Sequence, residues 1–161
     1  MVTSHKVVER AELRARLEEV RSRGLRIAFT NGCFDLIHVG HLHTLETARG
    51  QADFLVVGVN SDDSVRRLKG PNRPLVDARD RAELLAGFAC VDMVVVFAED
   101  TPVEILAQVR PDVHIKGGDY KLEDLPEREV VERHGGRILI TPLIPGHSTS
   151  RLESLLRGQG G

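Results

Sequence analysis

Short apolar runs that alternate with helical patterns constrain the fold of this chain more than any other feature. Each run is apolar at consecutive positions, which is typical of strands covered by helices on both faces of a parallel sheet. We therefore predict one α/β domain over residues 1–161, Rossmann-like and doubly wound, with a mainly parallel five-stranded sheet and right-handed crossovers. The predicted strands are Leu25–Phe29, Phe54–Val59, Met93–Phe97, Val113–Ile115 and Ile138–Ile140.

The two ends of the chain have different patterns. Leu13, Leu17 and Val20 recur at helical spacing among charged residues, which predicts an amphipathic helix from Val7 to Arg23 within the first 24 residues. Gly24 is expected to end that helix. Residues 157–161, rich in glycine, are expected to form a disordered tail.

Two internal helices carry start signals. Asp77 with Asp80 predicts a helix that begins at Ala78 and has acidic residues in its first turn. Thr101 followed by Pro102 and Glu104 predicts a capped helix with proline at its first position.

The composition excludes several classes of protein. A chain of 161 residues with 41% hydrophobic content is large enough for a sizeable core and is neither a coiled coil nor a disordered chain. Its 22 basic and 24 acidic residues leave a net charge of -2, so we expect no nucleic-acid partner. Two cysteines without CxxC spacing and the lack of a long apolar run predict a cytoplasmic protein with no membrane partner.

The segment after the first predicted strand, Thr30–His41, is the first candidate site. It reads TNGCFDLIHVGH and is neither a Walker A loop nor a GxGxxG motif. His38 and His41 are three residues apart at a helix start, with Gly40 between them. Imidazoles, a residue without Cβ and free helix-terminal amides together favour phosphate binding.

Two other interpretations of this segment stay open at this point. The histidines are incidental surface residues in one of them. In the other, Asp35, His38 and His41 form a two-histidine, one-carboxylate metal site. Gly40 has no purpose in a metal site, so phosphate binding is preferred.

A basic segment from Arg66 to Arg81 is the second candidate. Six cations there face only Asp77 and Asp80, in a chain that is negative overall. A solvated helix face is the ordinary explanation of such a charge run. The loop Lys69–Pro74 contains a glycine and two prolines, however, and this favours a fixed loop that presents its cations to phosphates.

Two later segments complete the candidate site. Lys116-Gly117-Gly118-Asp119-Tyr120 follows a predicted strand, and its glycines permit close approach to a base or ribose, although a tight turn would also explain them. Gly146–Ser150 precedes a helical pattern. Ser148 reads as an ordinary N-cap there, and the same geometry suits an anion.

These motifs together resemble a known family. His38-Val39-Gly40-His41 resembles the HxGH signature of the nucleotidyltransferase superfamily, and VGVNSDDSVRRLKG, NRPLVDARDR, HIKGGDY and the late STS resemble heptose 1-phosphate adenylyltransferases. The resemblance extends from about Ile27 to Leu156. It implies that ATP and D-glycero-D-manno-heptose 1-phosphate are joined to give ADP-heptose and pyrophosphate. In similar cytidylyltransferases the late element reads ISTT with an upstream arginine, which Thr141–Pro145 lacks.

The resemblance also implies roles for individual residues and the presence of Mg²⁺ bound with ATP, without a protein ligand that we can name. The implied catalytic residues are His38, His41 and Lys69. The implied substrate-binding residues are Asp35, Asn60, Arg73 and Arg81. The implied nucleotide-binding residues are Thr30, Asn31, Gly32, Cys33, Phe34, Gly40, Lys116, Gly117, Gly118, Asp119, Ser148, Thr149 and Ser150.

The resemblance implies partners as well. The family is often fused to a heptose kinase, and we expect a separate kinase to supply the sugar 1-phosphate to this chain. We also expect a homodimer. The alternatives are cytidylyl or adenylyl transfer to glycerol phosphate or flavin mononucleotide, and a nucleotide-binding sensor without turnover.

Overall fold

A five-stranded parallel sheet forms the centre of the fold. The computed structural model describes residues 4–142 together with residues 144, 145, 152 and 154. The strand order is β3-β2-β1-β4-β5, and all four neighbouring pairs are parallel. The strands are β1 (Ile27–Gly32), β2 (Phe54–Asn60), β3 (Met93–Phe97), β4 (Val113–Gly117) and β5 (Arg137–Thr141). The predicted α/β fold with a parallel five-stranded sheet is confirmed.

Helices cover both faces of the sheet. One face packs against α1 (Leu13–Ser22), α5 (Val103–Val109) and α6 (Arg128–Arg133). The other packs against α2 (Val39–Arg49) and α4 (Ala78–Ala86), with α3 (Asp62–Lys69) just before α4. Phe29 and Val56 face the first layer, whereas Ala28 and Val57 face the second, so the strands are apolar throughout because both faces are covered.

The strand order determines where a ligand binds. From β1 the chain proceeds to β2 and β3 on one side of the sheet and then returns to β4 on the other side. The strand order therefore reverses between β1 and β4. In open α/β sheets, the crevice outside the carboxyl ends of the strands at such a point is the usual ligand site.

The predicted N-terminal helix is wrong in its first half. Residues Ser4–Lys6 form a short 3₁₀ helix, and Val7 pairs in parallel with Val94 at the open edge of β3. The main-chain N–H of Val8 donates to the Val94 carbonyl at 2.9 Å. Val7 and Val8 are β-branched residues that favour extended backbone, and the exposed edge of β3 offers them hydrogen bonds. These interactions override the helical periodicity of this segment, so α1 begins only at Leu13.

Strand ends and one helix cap also differ from the predictions. β1, β2 and β4 continue into polar or glycine residues that the sequence analysis placed after the strands, because backbone pairing does not require apolar side chains. Thr101 does not cap α5; Pro102 is at the N-cap position and no side chain caps it. The Asp77 cap is confirmed, since its carboxylate accepts from the Asp80 N–H at 3.0 Å. Within the described ranges, no helix has the length and apolar content needed to cross a membrane.

Candidate active site

Two histidines begin α2 at the carboxyl end of β1. His38 is the N-cap residue, with extended backbone, and its Nδ1 accepts a hydrogen bond from the Gly40 N–H at 3.1 Å. In return, the His38 N–H donates to Nδ1 of His41 at 3.3 Å. The two rings stack with their centroids 3.9 Å apart. Imidazoles thus take the places of the usual serine and glutamate in a capping box.

This cap fixes the tautomer of both rings. Because each Nδ1 accepts a main-chain N–H, the proton of each neutral imidazole is on Nε2. Burial, with smaller contributions from His38 and Lys69, lowers the pKa of His41 to about 4, so that ring is neutral at physiological pH. The two Nε2–H groups are therefore hydrogen-bond donors, as phosphate oxygens require.

Asp35 does not join the histidines in a metal site. Its Oδ2 accepts from Arg73 at 2.6 Å, and its Oδ1 accepts from the main-chain N–H groups of Leu75 and Val76 at 2.7 and 3.1 Å. Burial raises the pKa of Asp35, but these hydrogen bonds outweigh it and hold the pKa below its usual value. The predicted substrate-binding carboxylate thus ties the loop that contains Arg73 to the end of β1. Among the described residues, no group of three or more metal-ligating side chains converges.

The basic segment is less unbalanced than its sequence suggests. Arg66 pairs with Asp63, and Arg67 pairs with Asp100 at 2.8 Å. Arg73 is engaged with Asp35, as above. With Arg81, which pairs with Asp62, four of the six cations therefore have acidic partners outside the segment, and a local charge count does not reveal these partners.

Arg81 is a buried structural group at the end of the sheet. Its side chain is fully buried, and its guanidinium donates to the carbonyls of Val76, Cys33 and Asn60 at 2.8, 2.5 and 2.8 Å. It also donates to the Asp62 carboxylate at 2.6 Å. These contacts connect the ends of β1 and β2, the start of α3 and the basic loop, which is defined here as residues 70–77 between α3 and α4. Arg81 is thus a buried residue that holds the elements of the site together. The resemblance implied instead that it binds substrate.

Lys69 differs from its arginine neighbours. It is exposed at the end of α3, and within the described residues it forms no ion pair. Its positive charge nevertheless makes a small lowering contribution to the pKa of both His41 and Cys33, so the ammonium is within electrostatic range of the carboxyl end of β1. Burial remains the larger influence on Cys33 and raises the pKa of its thiol. Lys69 is thus an exposed cation whose charge acts on His41.

The residues after β4 approach the same region. Gly117 lies against Thr44, which is one turn beyond Gly40 in α2 and donates to the Gly40 carbonyl at 3.2 Å. Gly118 has a φ of +133°, which only glycine adopts readily, and its N–H donates to the Thr141 carbonyl at 2.9 Å. Asp119 is exposed. The structure therefore brings the glycine pair next to the helix that carries both histidines.

Lys116 does not extend toward this crevice. Its ammonium donates to the Glu127 carboxylate and lies 4.7 Å from the centre of the Tyr120 ring. The resemblance implies that Lys116 binds the nucleotide, and in the structure its ammonium has partners within the protein. The side chain is 20% exposed, and its charge is neutralised within the fold.

The other predicted residues have more varied positions. Thr30, Asn31 and Gly32 are the last residues of β1, and the Phe34 ring is 5.2 Å from that of His41. Asn60 ends β2 and donates to the Ser64 hydroxyl at 2.9 Å, within the protein. Ser148, Thr149 and Ser150 lie outside the described residues, as does the predicted tail from residue 157.

Sequence reasoning missed two acidic groups at this edge of the sheet. Asp62 binds Arg81, and Glu127 binds Lys116. Ser61 before Asp62 marks a helix start, so the position of Asp62 was accessible to sequence reasoning, but its distant partner was not. Glu127 has no signal in the sequence, since it precedes a helix of only six residues without capping it.

Comparisons with known proteins agree with this geometry. The family described as cytidylyltransferase-like matches residues 29–150, which include most of β1, both histidines and the segment after β4. The chain belongs to the cytidylyltransferase-like family. Its match identifies a nucleotidyltransferase domain.

Relatives of this cytidylyltransferase-like chain include proteins named bifunctional protein HldE. The one from Bradyrhizobium diazoefficiens is 51% identical over 152 residues, which are 94% of this chain and 31% of the relative. The one from Syntrophotalea carbinolica is 50% identical over 147 residues, which are 91% of this chain and 30% of the relative. The chain therefore spans less than a third of the length of these relatives.

A solved structure shares the fold of this family member. The crystal structure of the lipopolysaccharide core biosynthesis protein from Thermoplasma volcanium is 26% identical and superimposes with a TM-score of 0.61. The alignment covers 75% of this chain and 98% of the other. The resemblance inferred from the motifs is confirmed at the level of the family and the fold.

Proposed function

We propose that this chain transfers the adenylyl group of ATP to D-glycero-D-manno-heptose 1-phosphate, giving ADP-heptose and pyrophosphate. A phosphate oxygen of the sugar attacks the α-phosphorus of ATP, the bond from that phosphorus to the bridging oxygen breaks, and pyrophosphate leaves. No covalent enzyme intermediate is required. The paired imidazoles with protons on Nε2 are the observation that supports this proposal most strongly.

The proposed mechanism relies on charge stabilisation. In phosphoryl-type transfer the protein mainly positions the reactants and stabilises charge in the transition state. His38 and His41 donate from Nε2 to phosphate oxygens as negative charge moves toward the leaving pyrophosphate. Lys69, an exposed cation whose charge acts on His41, neutralises that leaving group.

Mg²⁺ enters the proposed reaction with ATP. The carboxylates of Asp35 and Asp62 at this edge of the sheet form ion pairs with Arg73 and Arg81. The triphosphate of ATP is therefore a better ligand for the ion than either of these two carboxylates. When bound, the ion adds positive charge along the polyphosphate.

The proposed partners follow from the substrate. A kinase that acts on heptose supplies the sugar 1-phosphate, because the transfer requires a phosphorylated acceptor. The half-buried cysteines Cys33 and Cys90 are free thiols, which fits a cytoplasmic enzyme. A homodimer is proposed as well, on the exposed apolar surface discussed below.

A substrate screen tests this function against the other possibilities. The purified 161-residue chain is mixed with Mg²⁺, each of four nucleoside triphosphates and each acceptor, and pyrophosphate release is measured. Release with ATP and heptose 1-phosphate, but not with unphosphorylated heptose, is the expected result. Preference for CTP with glycerol phosphate, or for flavin mononucleotide as the acceptor, would replace the proposed substrate. Nucleotide binding without pyrophosphate from any acceptor would indicate a sensor.

A further inference from the structure

We propose that Glu127 is a positioning residue that fixes the shape of the nucleotide loop, defined here as residues 117–120, through Lys116 and Tyr120. The inference rests on the proposed function, since it assumes that this loop borders the nucleotide. Glu127 contacts Lys116, and Lys116 contacts Tyr120 of the loop, so Glu127 acts through these side chains.

Glu127 is a buried carboxylate at the carboxyl end of β4. It directly precedes α6 and is fully buried. Its Oε1 accepts from the Lys116 ammonium and lies 3.6 Å from Nε2 of buried His114. Burial raises the pKa of Glu127, but the nearby His114 ring and the hydrogen bond from Lys116 outweigh it and bring the pKa to about 2. The group is therefore a permanent anion within the fold.

Lys116 transmits this fixed charge to the loop. Its ammonium contacts Glu127 and also lies 4.7 Å from the centre of the Tyr120 ring, within cation–π range. Lys116 precedes the loop and Tyr120 ends it, so this contact closes the loop across its base. We call the Glu127, Lys116 and Tyr120 side chains the loop clasp.

The loop clasp determines the backbone between its ends. A Cβ built on Gly118 would lie 2.8 Å from Cε2 of Tyr120, so the ring is packed directly against the glycine backbone. On its other side, Gly118 is hydrogen-bonded to Thr141 of β5. The glycine peptide is thus held between the Tyr120 ring and the sheet, in one conformation.

Stability alone gives little reason for this arrangement. Removing two charges from water costs free energy that a buried ion pair often fails to recover, and apolar substitutes of similar volume are frequently as stable. Within the described part of the chain, Oε2 of Glu127 is buried without a hydrogen-bond partner, which adds to that cost. Preorganisation does give a reason, because a loop already fixed in its bound shape loses less conformational entropy when the nucleotide binds.

A double-mutant cycle separates a clasp from a direct contact between Lys116 and the nucleotide. Glu127→Gln, Lys116→Met and the double variant are compared for binding of Mg²⁺-ATP by calorimetry. We expect each single variant to raise Kd about tenfold through loss of preorganisation. We expect the double variant to do no more than either one, because both substitutions open the same clasp. Additive losses, or loss only in the lysine variants, would overturn the proposal.

The unliganded protein provides a second, independent measurement. The chain contains one tyrosine and no tryptophan, so its intrinsic emission reports Tyr120 alone. Glu127→Gln and the double variant should change that emission in the absence of nucleotide. Glu129→Gln is the matched control, since that carboxylate is 82% exposed and pairs with Arg133 on the outer face of α6. Emission equal to that of the wild type in both clasp variants would overturn the proposal.

Folding and function are separated in the same experiment. If Glu127→Gln does not fold, both ATP binding and tyrosine emission are measured on the double variant. The double variant leaves neither charge buried, so we expect its Tm to be no lower than that of the wild type. A double variant that melts lower yet binds ATP as the wild type does would show a purely structural role. Failure of the wild type to bind ATP would count against the proposed function. The tyrosine emission of the unliganded protein would still show whether Glu127 and Lys116 hold Tyr120 in place.

Discussion

Each histidine of the HxGH segment uses its two ring nitrogens differently. Nδ1 accepts a main-chain N–H and completes the start of α2, and Nε2 carries the proton that a phosphate oxygen can accept. A proton added to Nδ1 of His41 would displace the His38 N–H. Helix capping and proton placement are therefore one property, and the lowered pKa of His41 preserves both at physiological pH.

The first prediction separates these two uses. His41→Asn retains an acceptor near the position of Nδ1 but has no group in place of Nε2–H. We expect kcat to fall by about 10² or more, the scale for loss of one donor that stabilises a transition state, while the Kd for ATP changes far less. Steady-state kinetics and calorimetry measure the two quantities. His43→Asn, at an exposed position of the same helix, is the control. Equal losses in kcat/KM and in ATP affinity would instead indicate ground-state binding.

The second prediction concerns stability between pH 6.5 and 5. The pKa of His41 is about 4 in the folded chain and 6.5 in its ordinary state, so in this window the unfolded chain binds the additional proton. The free energy of unfolding therefore rises with pH across this window and is lost as the pH falls. Chemical denaturation at both pH values should show a smaller pH dependence for His41→Asn than for the wild type. An identical dependence in both proteins would contradict a lowered pKa.

The third prediction concerns Lys69. Lys69→Ala removes a cation that acts on His41 and has no acidic partner among the described residues. We expect KM for ATP to rise about tenfold, the scale of a hydrogen bond to a charged group. Arg66→Ala removes a neighbouring cation that Asp63 already neutralises, and KM should stay near the wild-type value. An equal KM for ATP in both variants would indicate that Lys69 is a solvated surface charge without a role in ATP binding.

At the scale of elements, the sequence predicts what depends on neighbours along the chain. The β3 bounds and the Asp77 cap were predicted correctly, because an apolar run or a residue spacing determines them locally. Val7 paired with β3 against its helical pattern, because an open strand edge far along the chain provides hydrogen bonds. Arg81 was expected to bind a substrate phosphate and Lys116 the nucleotide, but each has an acidic partner elsewhere in the sequence. Spacing rules cannot identify such partners.

Arg81 gives the prediction that belongs to this scale. Its guanidinium donates hydrogen bonds to acceptors at the ends of β1 and β2, at the start of α3 and in the basic loop. A lysine has a single ammonium on a flexible stem and cannot reach all of these acceptors. Arg81→Lys should lower the free energy of unfolding by about 2–4 kcal/mol, because buried acceptors lose their donors. Arg79→Lys, at an exposed position of the same helix, should change it by less than about 0.5 kcal/mol. Denaturant unfolding measures both, and equal effects would contradict the structural role of Arg81.

At the scale of the whole molecule, an apolar groove adjoins the candidate site. It has a volume of about 710 Å³, and Asp35, which ties down the basic loop, lies in its wall. Leu75 and Leu84 are 59% and 57% exposed in this region. The apolar residues of the groove are Leu36, Ile37, Val76, Leu84, Phe88 and Leu152. This apolar groove with its exposed leucines is the surface on which the proposed association of two copies rests.

The last prediction tests that association. Leu84→Arg adds a charge to the groove, and a charge that becomes buried without a partner opposes association strongly. Sedimentation equilibrium of the wild type should give a mass near twice the 17.8 kDa of one chain, and the variant should approach 17.8 kDa. Leu68→Arg is the control, because Leu68 is 50% exposed on α3 and does not line the groove. A wild type that sediments as one chain at every concentration would contradict the proposed homodimer. Because Leu84 contacts neither histidine nor Lys69 in any interaction described above, the monomeric variant should retain ATP binding, and its loss would show that the groove and the nucleotide site are coupled.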